Sequence, residues 1–172
     1  RLMLQPWKGH EWGFQKVDNL ISWCLEMEIP EITLYAFSMQ NFDRPKLEFD
    51  FLMNIFRSMF GSLEKDLRVE QYDMRITFIG KIELFPPDIT ERMQKLMAKT
   101  QQRTGFKLNL AMAYGGQEEI VRAAQRLVEQ KIDTADITLE SFAKALDHPD
   151  VPPCDLIVRT SGELRLSDFM LW

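Results

Sequence analysis

The sequence predicts an α/β fold: a single domain with a mostly parallel sheet and helices on both faces. Three observations carry this. Short apolar runs fall at 32–37, 74–79 and 106–112, bounded by polar or Gly/Pro positions, as buried strands are. Longer stretches between them place apolar residues three and four apart, as helices do. Strand and helix patterns alternate along all 172 residues with no repeat, low-complexity tract or linker, which argues for parallel strands joined by helical crossovers.

Residues 1–8 are apolar, irregular and broken by Pro6. From about Gly9 a helix is predicted, with Val17, Leu20, Ile21, Cys24 and Leu25 on one side and Pro30 as its stop. The strand 32–37 leads into a polar loop, 38–44. Pro45 opens a helix carrying Leu47, Phe51, Leu52, Ile55, Phe56, Met59, Phe60 and Leu63, expected to run to about Val69. The strand 74–79 ends at Gly80. Pro86-Pro87-Asp88 starts the next helix, through Ile89, Met93, Leu96 and Met97. After Gly105 comes the strand 106–112, then Gly115-Gly116 and a helix with Ile120, Val121, Ala124, Leu127 and Val128 on one face. A short helix is expected at about 139–146. Beyond Pro149, Pro152 and Pro153, the run Leu156-Ile157-Val158 is read as a fourth buried strand ending at Arg159. The chain starts at Arg1 without Met and stops at Trp172 inside an apolar run, so further segments are expected beyond both ends.

Composition narrows the function classes. At 45% hydrophobic and 27% charged, the balance is that of an ordinary globular domain. A net charge of −5 argues against nonspecific nucleic-acid binding, yet leaves room for a local basic pocket. Cys24 and Cys154 have no CxxC or Cys/His spacing for a metal; both are expected as reduced core residues, which points to a cytosolic compartment. No run of ~18 apolar residues predicts a membrane span, and there is no signal peptide.

If the sheet is parallel, its strand ends converge on one rim, where open α/β sheets bind ligands. After 156–158 come Arg159, Thr160, Ser161, Gly162, Arg165 and Ser167: two guanidiniums, hydroxyls and a glycine, suited to a phosphate-rich anion. The plain alternative is a solvated loop whose arginines pair with Glu163 and Asp168. After the first strand, Ser38, Asn41 and Arg44 supply a hydroxyl, an amide and a guanidinium, or simply a turn and helix start. Gly115-Gly116 offers helix N-terminal amides, though ordinary turn chemistry explains it as well. His10 stands at a helix start, where it either meets a phosphate or only caps. His148 is expected to be solvated, as is the acid pair Glu118-Glu119. Ser161 lacks the GxSxG elbow of a hydrolase. The Phe/Met-rich helix after Pro45 reads either as core or as one wall of an apolar channel for a lipid chain.

In chain order, the motifs are Gly9-His10 with Gly13; Leu34-Tyr35-Ala36-Phe37-Ser38; Asn41-Phe42 with Arg44-Pro45 and Glu48; Ile79-Gly80; Asn109-Leu110-Ala111; Tyr114-Gly115-Gly116 with Glu119-Ile120; and Asp155-Leu156-Ile157 with Arg159-Thr160-Ser161-Gly162-Glu163, Arg165, Ser167 and Phe169 through Trp172. Together they resemble the cis-prenyltransferases, the undecaprenyl and dehydrodolichyl diphosphate synthase family. The resemblance covers the whole chain, and Pro6-Trp7 looks most like archaeal members.

The resemblance implies an enzyme that condenses isopentenyl diphosphate with an allylic diphosphate into a cis-polyprenyl diphosphate, the carrier lipid of glycosylation. It implies that Arg159, Arg165 and Ser167 hold isopentenyl diphosphate and that His10 contacts the allylic diphosphate. Ser38, Asn41 and Arg44 then form the catalytic loop, Phe42 fills an aromatic slot often held by Trp, and Glu48 matches a loop glutamate. The Phe/Met helix and the strand from Phe106 line an apolar tunnel for the polyprenyl chain. The resemblance also implies Mg2+, a homodimer, and peripheral membrane contact through the lipid product of an otherwise cytoplasmic enzyme. A non-catalytic partner subunit of a heteromeric enzyme and a phosphate-ligand module are the competing readings; retention of His10, Asn41, Arg44 and Arg165 argues against the partner subunit. The family's magnesium aspartate, in an Asp-Gly-Asn-Arg-Arg segment, and its second acidic ligand are expected outside 1–172, so no metal ligand is assigned here. Gln40, Lys81, Gln117 and Pro6 depart from common family choices.

Overall fold

The structure, a computed structural model, describes residues 8–160 and 162–172, without the side chains of residues 8–12, 14 and 15. Pro6, Trp7, Ser161 and the His10 side chain lie outside the described residues. The elements are α1 (Lys8–Glu26), β1 (Glu31–Ser38), a 3-10 turn (Met39–Asp43), α2 (Lys46–Leu63), α3 (Leu67–Gln71), β2 (Arg75–Ile79), α4 (Pro87–Thr100), β3 (Lys107–Tyr114), α5 (Gly116–Glu129) and α6 (Leu139–Lys144).

The sheet has three parallel strands in the order β1-β3-β2. Leu108 lies opposite Ile32 on one side and Ile76 on the other; Leu110 lies opposite Leu34 and Phe78. These side chains form one face, onto which α1, α2 and α4 bring Ile21, Cys24, Leu52, Met53, Phe56, Phe60, Ile89, Met93 and Leu96. In these three helices the spacing read in the sequence is that of the core, apart from the exposed Leu47; on α5 the expected apolar face is instead turned out at Val121 and Val128, 56% and 77% exposed. Thr100, fully buried at the end of α4, accepts from the Ile76 amide at 3.1 Å and donates to the Leu96 carbonyl at 2.9 Å, pinning α4 to the start of β2.

The other face carries less. Tyr35, Ile79, Ala111 and Tyr114 meet Phe169 and Met170 from the C-terminal segment. Beside them is a polar row in which Asn109 donates to Glu31 at 2.7 Å and to Thr33 at 3.3 Å. α5 and α6 pack on each other through Ala123, Leu127, Ala145, Phe142 and Leu146. Asp147 joins them, held by Arg122 and Arg126, each at 2.5 Å.

Five expectations are corrected. The helix after Pro45 does not reach Val69. It ends at Leu63, and Asp66 starts α3 by accepting from the Arg68 amide at 2.9 Å, because a short carboxylate competes with helix continuation. The run 156–158 is not a buried strand: Leu156 is 77% and Val158 79% exposed, and among the described residues no ladder partner lies beside it. Pro152 and Pro153, which lack amide donors, precede it. Cys154 is exposed, whereas Cys24 is buried as expected. His148 is half-buried, and burial pushes its imidazole pKa down. Glu119 is buried rather than solvated. No described helix is long and apolar enough to cross a membrane.

Candidate active site

The rim at the carboxyl ends of β1, β2 and β3 gathers most of the residues singled out above. At the end of β1 the pairing with β3 slips on either side of Phe37, and Ala113, skipped between the Phe37–Met112 and Ser38–Tyr114 pairs, adopts φ 50°. Such an irregularity re-aims side chains. It turns Phe37 into the core, where Phe42 (5.0 Å), Phe85 (5.1 Å) and Phe56 (5.9 Å) meet it edge to face. At β2's end, Gly80 has φ 107° and a Cβ there would sit 2.3 Å from the Met112 carbonyl, so only glycine lets the two strand ends come this close.

The turn after β1 is built from its own residues. Asn41 accepts from the Ser38 amide at 2.8 Å. Phe42 anchors the turn in the aromatic cluster. Arg44 pairs with Glu48 one helical turn on, in the first turn of α2. Ser38, Asn41, Arg44 and Glu48 are all part-exposed on the solvent side of the cluster. The backbone of His10 lies in the first turn of α1.

Arg159, Arg165 and Ser167 lie in one loop. The Arg159 guanidinium donates to Ser167 Oγ at 2.8 Å and to the Arg165 carbonyl; Arg165 pairs with Glu163. The loop is exposed, with the Arg165 side chain 65% accessible. The solvated-loop reading is thus half right: Glu163 takes an arginine, but Asp168 does not. Asp168 instead accepts from the Gln117 amide at 2.8 Å through Oδ1, and its carbonyl accepts from the Gly116 amide at 2.8 Å. The α5 amides that Gly115-Gly116 presents are therefore taken by this segment. Sequence reasoning missed Asp168 as a contact of α5; its signal was its place immediately before the apolar run that closes the last motif.

The loop and the β1 turn meet at Gly115. A Cβ there would lie 2.7 Å from Asp168 Oδ2 and 3.7 Å from Met39 Cγ. Beneath them Tyr114 donates to the buried Glu119 at 2.5 Å, and Tyr35 donates to the Tyr114 carbonyl at 3.2 Å. Burial, reinforced by the neighbouring carboxylate, raises the Tyr114 phenol pKa; burial also raises that of Glu119 against the pull of the Tyr114 hydroxyl. Lys81 pairs with Glu118 at 3.1 Å. Among the described residues no group of three or more His, Cys, Asp or Glu side chains is placed to hold a metal ion.

The prenyltransferase family model for undecaprenyl diphosphate synthase matches residues 2–172. The chain belongs to this family. The cis-prenyltransferase motifs read from the sequence thus sit on a fold with known relatives. An isoprenyl transferase of Thermus thermophilus is 41% identical over 99% of this chain and 68% of its own length. The geranylgeranyl-diphosphate-specific tritrans,polycis-undecaprenyl-diphosphate synthase of Thermococcus kodakarensis is 36% identical over 100% of this chain and 67% of its own. Among solved structures, lavandulyl diphosphate synthase from Lavandula x intermedia, in complex with dimethylallyl diphosphate, superposes with a TM-score of 0.91 at 34% identity, covering 98% of this chain and 74% of that one.

Proposed function

We propose that this cis-prenyltransferase chain condenses isopentenyl diphosphate with an allylic prenyl diphosphate, adding one cis isoprene unit per cycle. The allylic C–O bond breaks and diphosphate leaves with its electron pair; the terminal alkene carbon of isopentenyl diphosphate bonds to the allylic carbon, and the CH2 on the far side of the methyl-bearing carbon loses a proton, its C–H electrons forming the new cis double bond. Such a reaction needs two anions held at fixed separation and positive charge or N–H groups on the leaving diphosphate. Arg159, Arg165 and Ser167 hold isopentenyl diphosphate. Ser38, Asn41 and Arg44 form the catalytic turn, with Phe42 anchoring it and Glu48 orienting Arg44. His10 contacts the allylic diphosphate. The observation that supports this most is the Arg159–Ser167 hydrogen bond in a loop docked beside the β1 turn.

Magnesium typically serves this family by neutralising the leaving diphosphate. Among the described residues no group of three or more His, Cys, Asp or Glu side chains is placed to hold it. The growing chain runs between α2, α4 and the sheet, where Met53, Met59, Met93 and Met112 are soft enough to repack around it, with Phe106 near its floor. A homodimer and peripheral contact with membranes through the product complete the reading.

The test is incorporation of labelled isopentenyl diphosphate into butanol-extractable product, with magnesium and farnesyl or geranylgeranyl diphosphate, by the full-length protein. Product formation that Arg165→Ala abolishes supports the reading. No incorporation with either primer turns it toward a partner subunit.

A further inference from the structure

Resting on that reading, we propose that Asp168 is the positioning residue of the isopentenyl diphosphate loop: it clasps the loop to the β3–α5 turn and thereby sets where Ser167 and Arg159 face. The side-chain contacts of the arginines are with the loop itself, Arg159 to Ser167 and to the Arg165 carbonyl, Arg165 to Glu163. They shape the loop but do not place it on the sheet. Placement comes from the next residues. Asp168 receives two amides from the start of α5, Gly116 to its carbonyl and Gln117 to its carboxylate, both at 2.8 Å. Phe169 stacks on Tyr35 of β1 at 4.7 Å and 12°. Met170 joins the same cluster.

The backbone here is one that side chains resist. Ser167, Asp168 and Met170 have φ of 50°, 63° and 48°. Residues with a Cβ visit this region reluctantly, Asp less so than most, and hold it when tertiary contacts impose it. The turn that receives them is cut to fit. A Cβ on Gly115 would meet Asp168 Oδ2 at 2.7 Å, and one on Gly116 would meet Leu171 Cγ at 2.9 Å and the Asp168 carbonyl at 3.0 Å. A carboxylate accepting from the first amides of α5 is also favoured by the helix dipole. Asp168 thus fills the anion-binding end of α5, so the substrate's diphosphate meets the arginines and hydroxyls while α5 holds the loop.

The experiment is steady-state kinetics, in the full-length protein, of Asp168→Ala, Asp168→Asn, Gly115→Ala, the Gly115→Ala/Asp168→Ala double variant and Arg165→Ala, with melting curves for each. Asp168→Ala is expected to raise KM for isopentenyl diphosphate about tenfold, the equivalent of one charge-assisted hydrogen bond, while KM for the allylic substrate stays within about twofold. Asn keeps an oxygen acceptor for the Gln117 amide, so Asp168→Asn is expected to restore KM to within about threefold of the parent. Gly115→Ala pushes the carboxylate aside and is expected to act in the same direction, with less than additive effect in the double variant. The proposal is overturned if Asp168→Ala leaves that KM unchanged, if both substrates' KM values rise together with a lowered melting point, or if Asn fails as badly as Ala. If Arg165→Ala moves the KM and Asp168→Ala does not, the clasp alone fails; if neither moves it, the assignment of the loop to isopentenyl diphosphate fails as well.

Discussion

The turn at 38–48 and the loop at 159–167 reach the same rim of the sheet, yet they are held by opposite means. The first is made locally: Asn41 caps it, Arg44 pairs four residues on, and Phe42 is locked among Phe37, Phe49 and Phe85. The second is exposed, internally bonded and fixed from outside by a carboxylate and a ring that follow it. On the assignment of roles proposed above, the group that meets the leaving diphosphate has a rigid base, whereas the loop that admits and releases one substrate per cycle is held from one end.

The comparison can be broken from its rigid side first. Phe37→Ala removes the buried ring that touches Phe42, Phe49, Phe56 and Phe85 and is expected to cost about 3–5 kcal/mol, measured by urea unfolding. A loss below about 1 kcal/mol would show that the cluster does not anchor the turn. Phe42→Ala, at a half-buried position, should cost about 2 kcal/mol and lower kcat more than it raises either KM. Asp147→Asn weakens the link between α5 and α6 by up to about 2 kcal/mol at neutral pH. Its two arginines hold the Asp147 carboxyl below the usual carboxylate range despite the burial that opposes them. A depressed folded pKa contributes stability above the unfolded value and loses it as pH falls through the folded one, so the parent should lose stability faster than Asp147→Asn below about pH 4. Equal acid slopes would dismiss that pair. On the exposed side, Arg165→Ala should leave the melting point within about 2 °C while its kinetic effect is large. Lys46→Ala, breaking an exposed i,i+4 pair with Asp50, should change stability by less than about 0.5 kcal/mol.

Much of this was legible because it is local. The runs at 32–37, 74–79 and 106–112 became β1, β2 and β3, and Pro86-Pro87-Asp88 opened α4 as proline does. The residues of the 38–48 turn were readable for the same reason. What escaped depends on partners distant in sequence. Leu156-Ile157-Val158 has strand composition, but the fold lays it against no ladder among the described residues, and composition does not report where a segment is laid. Glu119 looks like any surface glutamate until Tyr114 folds over it. Asp168 carries no motif of its own, because its role depends on two amides some fifty residues away.

The sheet order has a consequence for how the molecule comes into being. β3 lies between β1 and β2 yet is the last of the three to be synthesised, and Glu31 pairs with Lys107 only once nearly two thirds of the 172 residues exist. Until Tyr114 has left the ribosome, two apolar strands wait with no ladder to join, and the helices between them have no finished surface to cover. Pairings so far apart in the chain form slowly, and the waiting edges are open to aggregation. A chaperone that shields β1 and β2 during that interval would therefore matter more to the yield of this protein than to its final stability.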